Sequence, residues 1–154
     1  VGSLPHPEII PETFDCVTMW NSLEHVHQPR EVVRAAWRAL RPGGLLVVGV
    51  PNFDAWSFRW FRENWYALEL PRHLTPFTPG TLGALVEREG FQVLSLDQIA
   101  RAGCLRKSAR RASANNAGPW WARAMRFKPW RLAAANWTER AGHADFMRLI
   151  AEKT

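Results

Sequence analysis

The stretch from Phe14 to Asn52 constrains this chain most, because two apolar runs flank a polar cluster, an amphipathic run and a Pro-Gly-Gly turn. Phe14-Asp15-Cys16-Val17-Thr18-Met19-Trp20 is apolar and partly β-branched, which predicts a strand. It stops at Asn21-Ser22-Leu23-Glu24-His25, so a buried strand, with Cys16 in its interior, would deliver hydrogen-bonding side chains to its carboxyl end. Pro29 can open a helix. Val32, Val33, Ala36, Trp37 and Leu40 then recur on one face, while Arg30, Glu31, Arg34, Arg38 and Arg41 fall elsewhere. Pro42-Gly43-Gly44 ends that helix, and Leu45-Leu46-Val47-Val48-Gly49-Val50 is a continuous apolar run, the pattern of a parallel strand covered on both faces. Pro51-Asn52 closes it. Strand, helix and strand together predict a right-handed βαβ crossover and an α/β fold.

At 154 residues the chain is long enough for one domain with a sizeable core. Two cysteines, Cys16 and Cys104, offer neither metal spacing nor a disulfide framework, which fits a reducing cytoplasm. The five histidines, His6, His25, His27, His73 and His143, lack ligand spacing with a carboxylate, so no metal is implied. No run of eighteen apolar residues occurs and no basic segment followed by an apolar one opens the sequence, so neither a membrane span nor an export signal is expected. The net charge of +6 is concentrated: residues 101–131 hold nine Lys or Arg and no Asp or Glu, which leaves −3 on the remainder.

Beyond Asn52, Phe53 to Arg62 reads as a helix with Phe53, Trp56, Trp60 and Phe61 on one face, and Asn64 to Leu68 as a loop. Pro79 to Arg88 predicts a second crossover helix, capped by Thr78 and left through Gly90. Phe91 to Leu96 alternates as a strand does. Ser108 to Gly118, rich in Ala, Ser, Asn and Arg, reads as a mobile linker, and Pro119 and Pro129 can each open a short helix, the second ending near Gly142.

Phe14-Asp15-Cys16-Val17, Leu23-Glu24-His25-Val26, Leu40-Arg41-Pro42-Gly43-Gly44-Leu45-Leu46-Val47-Val48 and Val50-Pro51-Asn52 resemble the middle of class I S-adenosylmethionine-dependent methyltransferases. The branch with small-molecule and quinone O-methyltransferases is the most similar. Pro71-Arg72-His73-Leu74, Phe77-Thr78-Pro79-Gly80-Thr81-Leu82 and Glu89-Gly90-Phe91 continue the likeness over roughly residues 1–99. The resemblance implies a partial Rossmann-like sheet, with strands 4-5-7-6 of the family order. Residues 1–99 would form its core, 100–118 a basic linker, 119–142 short helices and 143–154 the final antiparallel strand. It further implies S-adenosyl-L-methionine as cofactor, bound by a wall of Trp20, Asn21, Ser22, Leu23 and Glu24, with Ser3 and Leu4 near the adenine. Pro51, Asn52, Trp65, Tyr66 and Arg72 would line the acceptor pocket. The family's glycine-rich loop and the acidic residue after its second strand have no counterpart. The chain is therefore expected to be the carboxyl-terminal half of a longer product, inactive alone.

Methyl transfer from a sulfonium needs in-line alignment more than acid catalysis. A hydroxyl acceptor also benefits from a base, and His25 and His73 are the candidates. Glu24 and His25 could instead brace the following helix, and His73 could be a loop histidine bonded to backbone. A small, lipophilic acceptor methylated at oxygen is the expected substrate; a binding module that keeps the fold without catalysis is the alternative. The basic, Trp-rich segment 106–131 admits three readings: a solvated surface with a lid helix, peripheral contact with the inner face of a membrane, or, least favoured, nucleic acid.

Overall fold

The computed structural model describes residues 5–116 and 120–154, so Ser3, Leu4 and Pro119 lie outside the described residues. Along the chain run β1 (Phe14–Trp20), α1 (Pro29–Ala39), β2 (Leu40–Pro51), α2 (Trp56–Phe61), α3 (Pro79–Arg88), β3 (Phe91–Ile99), α4 (Ala102–Ala114), α5 (Lys128–Arg140) and β4 (Phe146–Lys153). Short 3-10 turns occupy Leu23–His25, Arg62–Asn64, Tyr66–Leu68 and Trp120–Arg126. The strands form one four-stranded sheet in the order β1-β2-β4-β3. That is the order expected of a half-sheet 4-5-7-6, and the class is α/β.

The chain divides into two compact units. One comprises the described residues up to Val50 with Leu74–Asp97 and Arg148–Thr154; the other comprises Pro51–His73 and Gln98–Met147.

In the first unit β1 and β2 pair in parallel, from Cys16 opposite Leu45 to Trp20 opposite Gly49. The helix before β2 stops at Ala39, two residues earlier than expected. Leu40 is already extended, because the following Pro42 disfavours helical geometry at Arg41. Pro42-Gly43-Gly44 is thus not a turn between helix and strand. It is absorbed into β2 as a register shift between the pairs Phe14–Leu40 and Cys16–Leu45. Gly43 takes φ +75°, and a Cβ on Gly44 would meet the Arg41 carbonyl at 2.8 Å. β1 lies at the sheet edge, the place that strand 4 takes in the expected half-sheet 4-5-7-6. The expectation of a buried strand with Cys16 in its interior is corrected, since Cys16 is exposed, Phe14 and Trp20 are 45% and 49% exposed, and only Met19 of the strand is buried. The α1 face is as expected over its length, with Val33 and Ala36 buried beside half-covered Val32 and Trp37, while the buried Leu40 belongs to β2.

β4 runs antiparallel to its neighbours. Thr154 Oγ1 donates to the Gly90 carbonyl at the start of β3, while Arg148 pairs with Asp97 towards its end at 2.7 Å. Lys153 is buried, donates to the Leu40 carbonyl at 2.7 Å, pairs with Glu12 at 3.1 Å and lies 4.0 Å from the Trp37 ring centroid. These contacts satisfy a buried ammonium, which would otherwise be costly. Thr78 caps α3 reciprocally with Thr81, and Gly90 leaves it at φ +89°.

The second unit is built on Ala55, Phe61, Trp65, Cys104, Leu105, Ala109, Ala112 and Ala135. Four of these lie on α4, so the linker expected at 100–118 is a thirteen-residue helix over most of its length. Its buried stripe, Cys104, Leu105, Ser108, Ala109 and Ala112, has helical spacing, but its side chains are small. Small residues allow close approach, and the sole polar member is satisfied: Ser108 Oγ donates to the Cys104 carbonyl at 2.9 Å and accepts the Tyr66 N–H at 2.8 Å. α2 begins later than expected because Asn52 Oδ1 accepts the Asp54 N–H and holds Asn52-Phe53-Asp54 in a turn.

Candidate functional site

The expected site residues fall in two groups, one in each unit. In the first, the ladder between β1 and β2 continues one residue past the strand, the Asn21 N–H donating to the Gly49 carbonyl at 2.8 Å. Asn21 then turns left-handed at φ +46°, a conformation that asparagine tolerates. This sends the chain into a 3-10 turn closed by the His25 N–H on the Ser22 carbonyl. The turn sorts the polar cluster. Trp20, Asn21 and Ser22 face solvent beyond the carboxyl end of the strand, whereas Leu23 and Glu24 are each 1% exposed and His25 is half-buried. The Glu24 carbonyl accepts the N–H groups of Leu74 and Thr75 at 2.8 and 3.1 Å, and Thr75 Oγ1 reaches the Val26 carbonyl at 3.4 Å. Gln28 is the N-cap residue of α1, and its own side chain makes no capping hydrogen bond.

In the second unit Asn52 is fully buried and its amide is committed: Nδ2 donates to the Ala144 carbonyl at 2.9 Å and to Gln98 Oε1 at 3.1 Å, and Oδ1 holds Asp54. It braces the end of β2. Pro51 is buried beside it in sequence. Trp65 is fully buried between Phe53, edge-on at 5.2 Å, and Phe58 at 5.4 Å. Its indole Nε1 has no hydrogen-bond partner among the described residues. Tyr66 is half-buried, with the cations of Lys107 and Arg111 4.1 and 4.6 Å from its ring centroid. His73 is buried, and its Nε2 stands 3.5 Å from Glu69 Oε2, one helical spacing earlier in the chain. The His73 and Arg72 N–H groups both donate to the Glu69 carbonyl, and the exposed Arg72 guanidinium lies 3.9 Å from the same carboxylate.

Glu69 is the residue that sequence reasoning missed. Its i,i+4 relation to His73 was legible, but only the turn between them makes the spacing meaningful. A carboxylate beside an imidazole orients the ring and offsets the positive charge it gains on taking a proton.

Elsewhere in this unit Asp145 is 4% exposed, and burial raises its carboxyl above the ordinary range, although the Arg101 N–H holds Oδ1 at 2.8 Å. Burial, and then the Asp145 carboxylate, push the Cys104 thiol well up, so this cysteine is inert. In the first unit, hydrogen bonding from Arg30 and then Arg34 holds Glu89 below the usual carboxylate range.

Among solved structures, a SAM-dependent methyltransferase from Archaeoglobus fulgidus superimposes with a TM-score of 0.58 at 16% identity, over 94% of this chain and 62% of that one. The cyclase SpnF superimposes with a TM-score of 0.56 at 21% identity, over 98% of this chain and 52% of that one. At these identities the likeness concerns the fold. The ubiquinone biosynthesis O-methyltransferase of Pseudomonas fluorescens strain SBW25 is 35% identical over 92 residues, 56% of this chain. The chain spans only 40% of that relative's length. The family described as "Methyltransferase domain" matches residues 7–96, a region that contains the whole β1–β2 crossover, the Trp20–His25 turn and His73. The chain belongs to the methyltransferase domain family.

Proposed function

We propose that this chain forms part of an S-adenosyl-L-methionine-dependent methyltransferase acting on the oxygen of a small, lipophilic acceptor. The carrying observation is that the family match spans the exposed polar turn at the carboxyl end of β1, where open α/β sheets bind ligands. A half-exposed indole at Trp20 beside the free-facing amide and hydroxyl of Asn21 and Ser22 offers an apolar wall and hydrogen-bonding groups together. That donor set fits an adenosyl cofactor. The cofactor, when bound, supplies an electrophilic methyl group.

His73 is the base in this reading. It takes the proton of the acceptor hydroxyl, and Glu69 holds the imidazole and offsets the positive charge it gains. His25, in the turn after β1, is the second candidate. The likeness to an O-methyltransferase supports oxygen as the methylated atom.

The test is transfer of a labelled methyl group by the full gene product to a panel of phenols, catechols and amines. Label on a phenolic oxygen is the expected result. Label on amines alone would remove the oxygen assignment. Tight binding of S-adenosylhomocysteine without turnover of any acceptor would favour the non-catalytic binding module.

A further inference from the structure

The methyl-transfer reading leaves the exposed aromatic surface of the second unit unused. Trp120, Phe127 and Trp130 are 83%, 66% and 64% exposed, and Trp137 remains 57% exposed although its ring packs on Trp56 and Trp60. Trp130 and Trp137 are seven residues apart on α5, two turns, and so share a face of that helix. α5 itself buries only Ala135 and Thr138, so most of its circumference is open. Large aromatic side chains left in water at this density mark an interaction surface.

The charge identifies the partner. Residues 101–131 carry nine Lys or Arg and no Asp or Glu, and Arg126 and Lys128 are exposed on either side of Phe127. A cationic surface rejects a second copy of itself and matches an anionic one. Tryptophan is the side chain best suited to a membrane interface, with an apolar body and one N–H donor, and cations beside it meet headgroup phosphates. Nucleic acid would also meet the charge. However, stacking of bases calls for aromatic rings along a groove, whereas Trp130 and Trp137 stand on a convex helix face.

We propose that residues 120–137 dock this protein on an anionic phospholipid surface, with Trp120, Phe127 and Trp130 entering the headgroup region and Arg126 and Lys128 contacting phosphates. The proposal does not depend on the methyl-transfer reading, since it is tested without cofactor or acceptor.

The protein is mixed with vesicles of phosphatidylcholine alone and with vesicles containing about one third phosphatidylglycerol, and binding is followed by sedimentation. Quenching by brominated lipid reports the depth of the tryptophans. Binding to the anionic vesicles, weakened at least tenfold on neutral ones, is expected. Replacing Arg126 and Lys128 by Gln should lower the affinity about fivefold per charge at low salt. The triple variant Trp120→Ser, Phe127→Ser, Trp130→Ser should lose quenching and bind at least tenfold more weakly. Its far-ultraviolet circular dichroism and melting should match the parent, because none of the three side chains is buried. Equal affinity for neutral vesicles, or anionic binding that survives the triple substitution, would overturn the proposal. So would absence of binding to the anionic vesicles, with or without salt-sensitive binding to RNA.

Discussion

His73 and His25 differ in what surrounds them, and the difference assigns them opposite consequences. His73 is buried 3.5 Å from the Glu69 carboxylate, whereas His25 is half-buried in a 3-10 turn that its own N–H closes, with the Glu24 carboxylate within 4.8 Å of its ring. In an active full-length protein, His73→Gln should lower kcat on a hydroxyl acceptor by about 10²–10⁴-fold with cofactor affinity unchanged. Glu69→Gln should lower it by less. His25→Ala should instead cost stability and cofactor affinity together, with kcat of the folded enzyme near the parent value. Steady-state kinetics combined with calorimetric titration of S-adenosylhomocysteine separates these outcomes. Asp145 yields a prediction about pH. Its folded carboxyl titrates above the unfolded value of about 3.9, so within that window the folded state holds the proton and the unfolded state does not. Stability contributed by the neutral form is present at low pH and declines as pH rises through the folded value. Asp145→Asn should flatten that decline in urea titrations repeated from pH 4 upward.

At the scale of elements, α3 and the Glu89 cluster show local chemistry that is separable from the site. Thr78 accepts the Thr81 N–H and Thr81 Oγ1 returns the bond to the Thr78 N–H at 2.8 Å. Thr78→Ala should cost about 0.5–2 kcal/mol in urea unfolding. Glu89, just past the end of α3, takes Arg34 at 2.8 Å and Arg30 from α1, and its folded titration is depressed. Its contribution is therefore present above the unfolded carboxylate value and lost as pH falls through the folded one. Glu89→Gln should destabilise at pH 7 and make little difference near pH 2, a contrast that two denaturation curves would show. The element that sequence reasoning misjudged is α4. Its buried stripe of Cys104, Ser108, Ala109 and Ala112 has helical period but is made mostly of small residues among Arg, Lys and Ser, so composition suggested a linker. Packing against the 3-10 turns and α5 gives that stripe its partner surface.

For the molecule as a whole, β1 is an edge strand flanked by exposed apolar side chains: Phe14, Trp20 and Leu45 are 45%, 49% and 36% exposed. Open edges of this kind recruit strands. The isolated chain should associate with rising concentration in sedimentation velocity, and Thr18→Lys on the edge should suppress that association; a monomer at all concentrations would contradict it. The patterns of α1, β2, α3 and β3, the cap at Thr78 and the left-handed exit at Gly90 were all legible from residues alone, since each depends on neighbours within one or two turns, whereas β4 was expected only from the family resemblance. The Trp20–Glu24 cluster was legible as a strand end, but not which of its side chains face out. Burial of Glu24, exposure of Cys16 and the pairing of His73 with Glu69 depend on which surfaces meet. The bulge that absorbs Pro42-Gly43-Gly44 depends likewise on the register of β2 against β1. Local sequence thus determined the elements and their order, through steric and hydrogen-bonding rules that act along the chain. Tertiary structure decided which polar groups are left to do chemistry, because desolvation and partnering are set by neighbours distant in sequence.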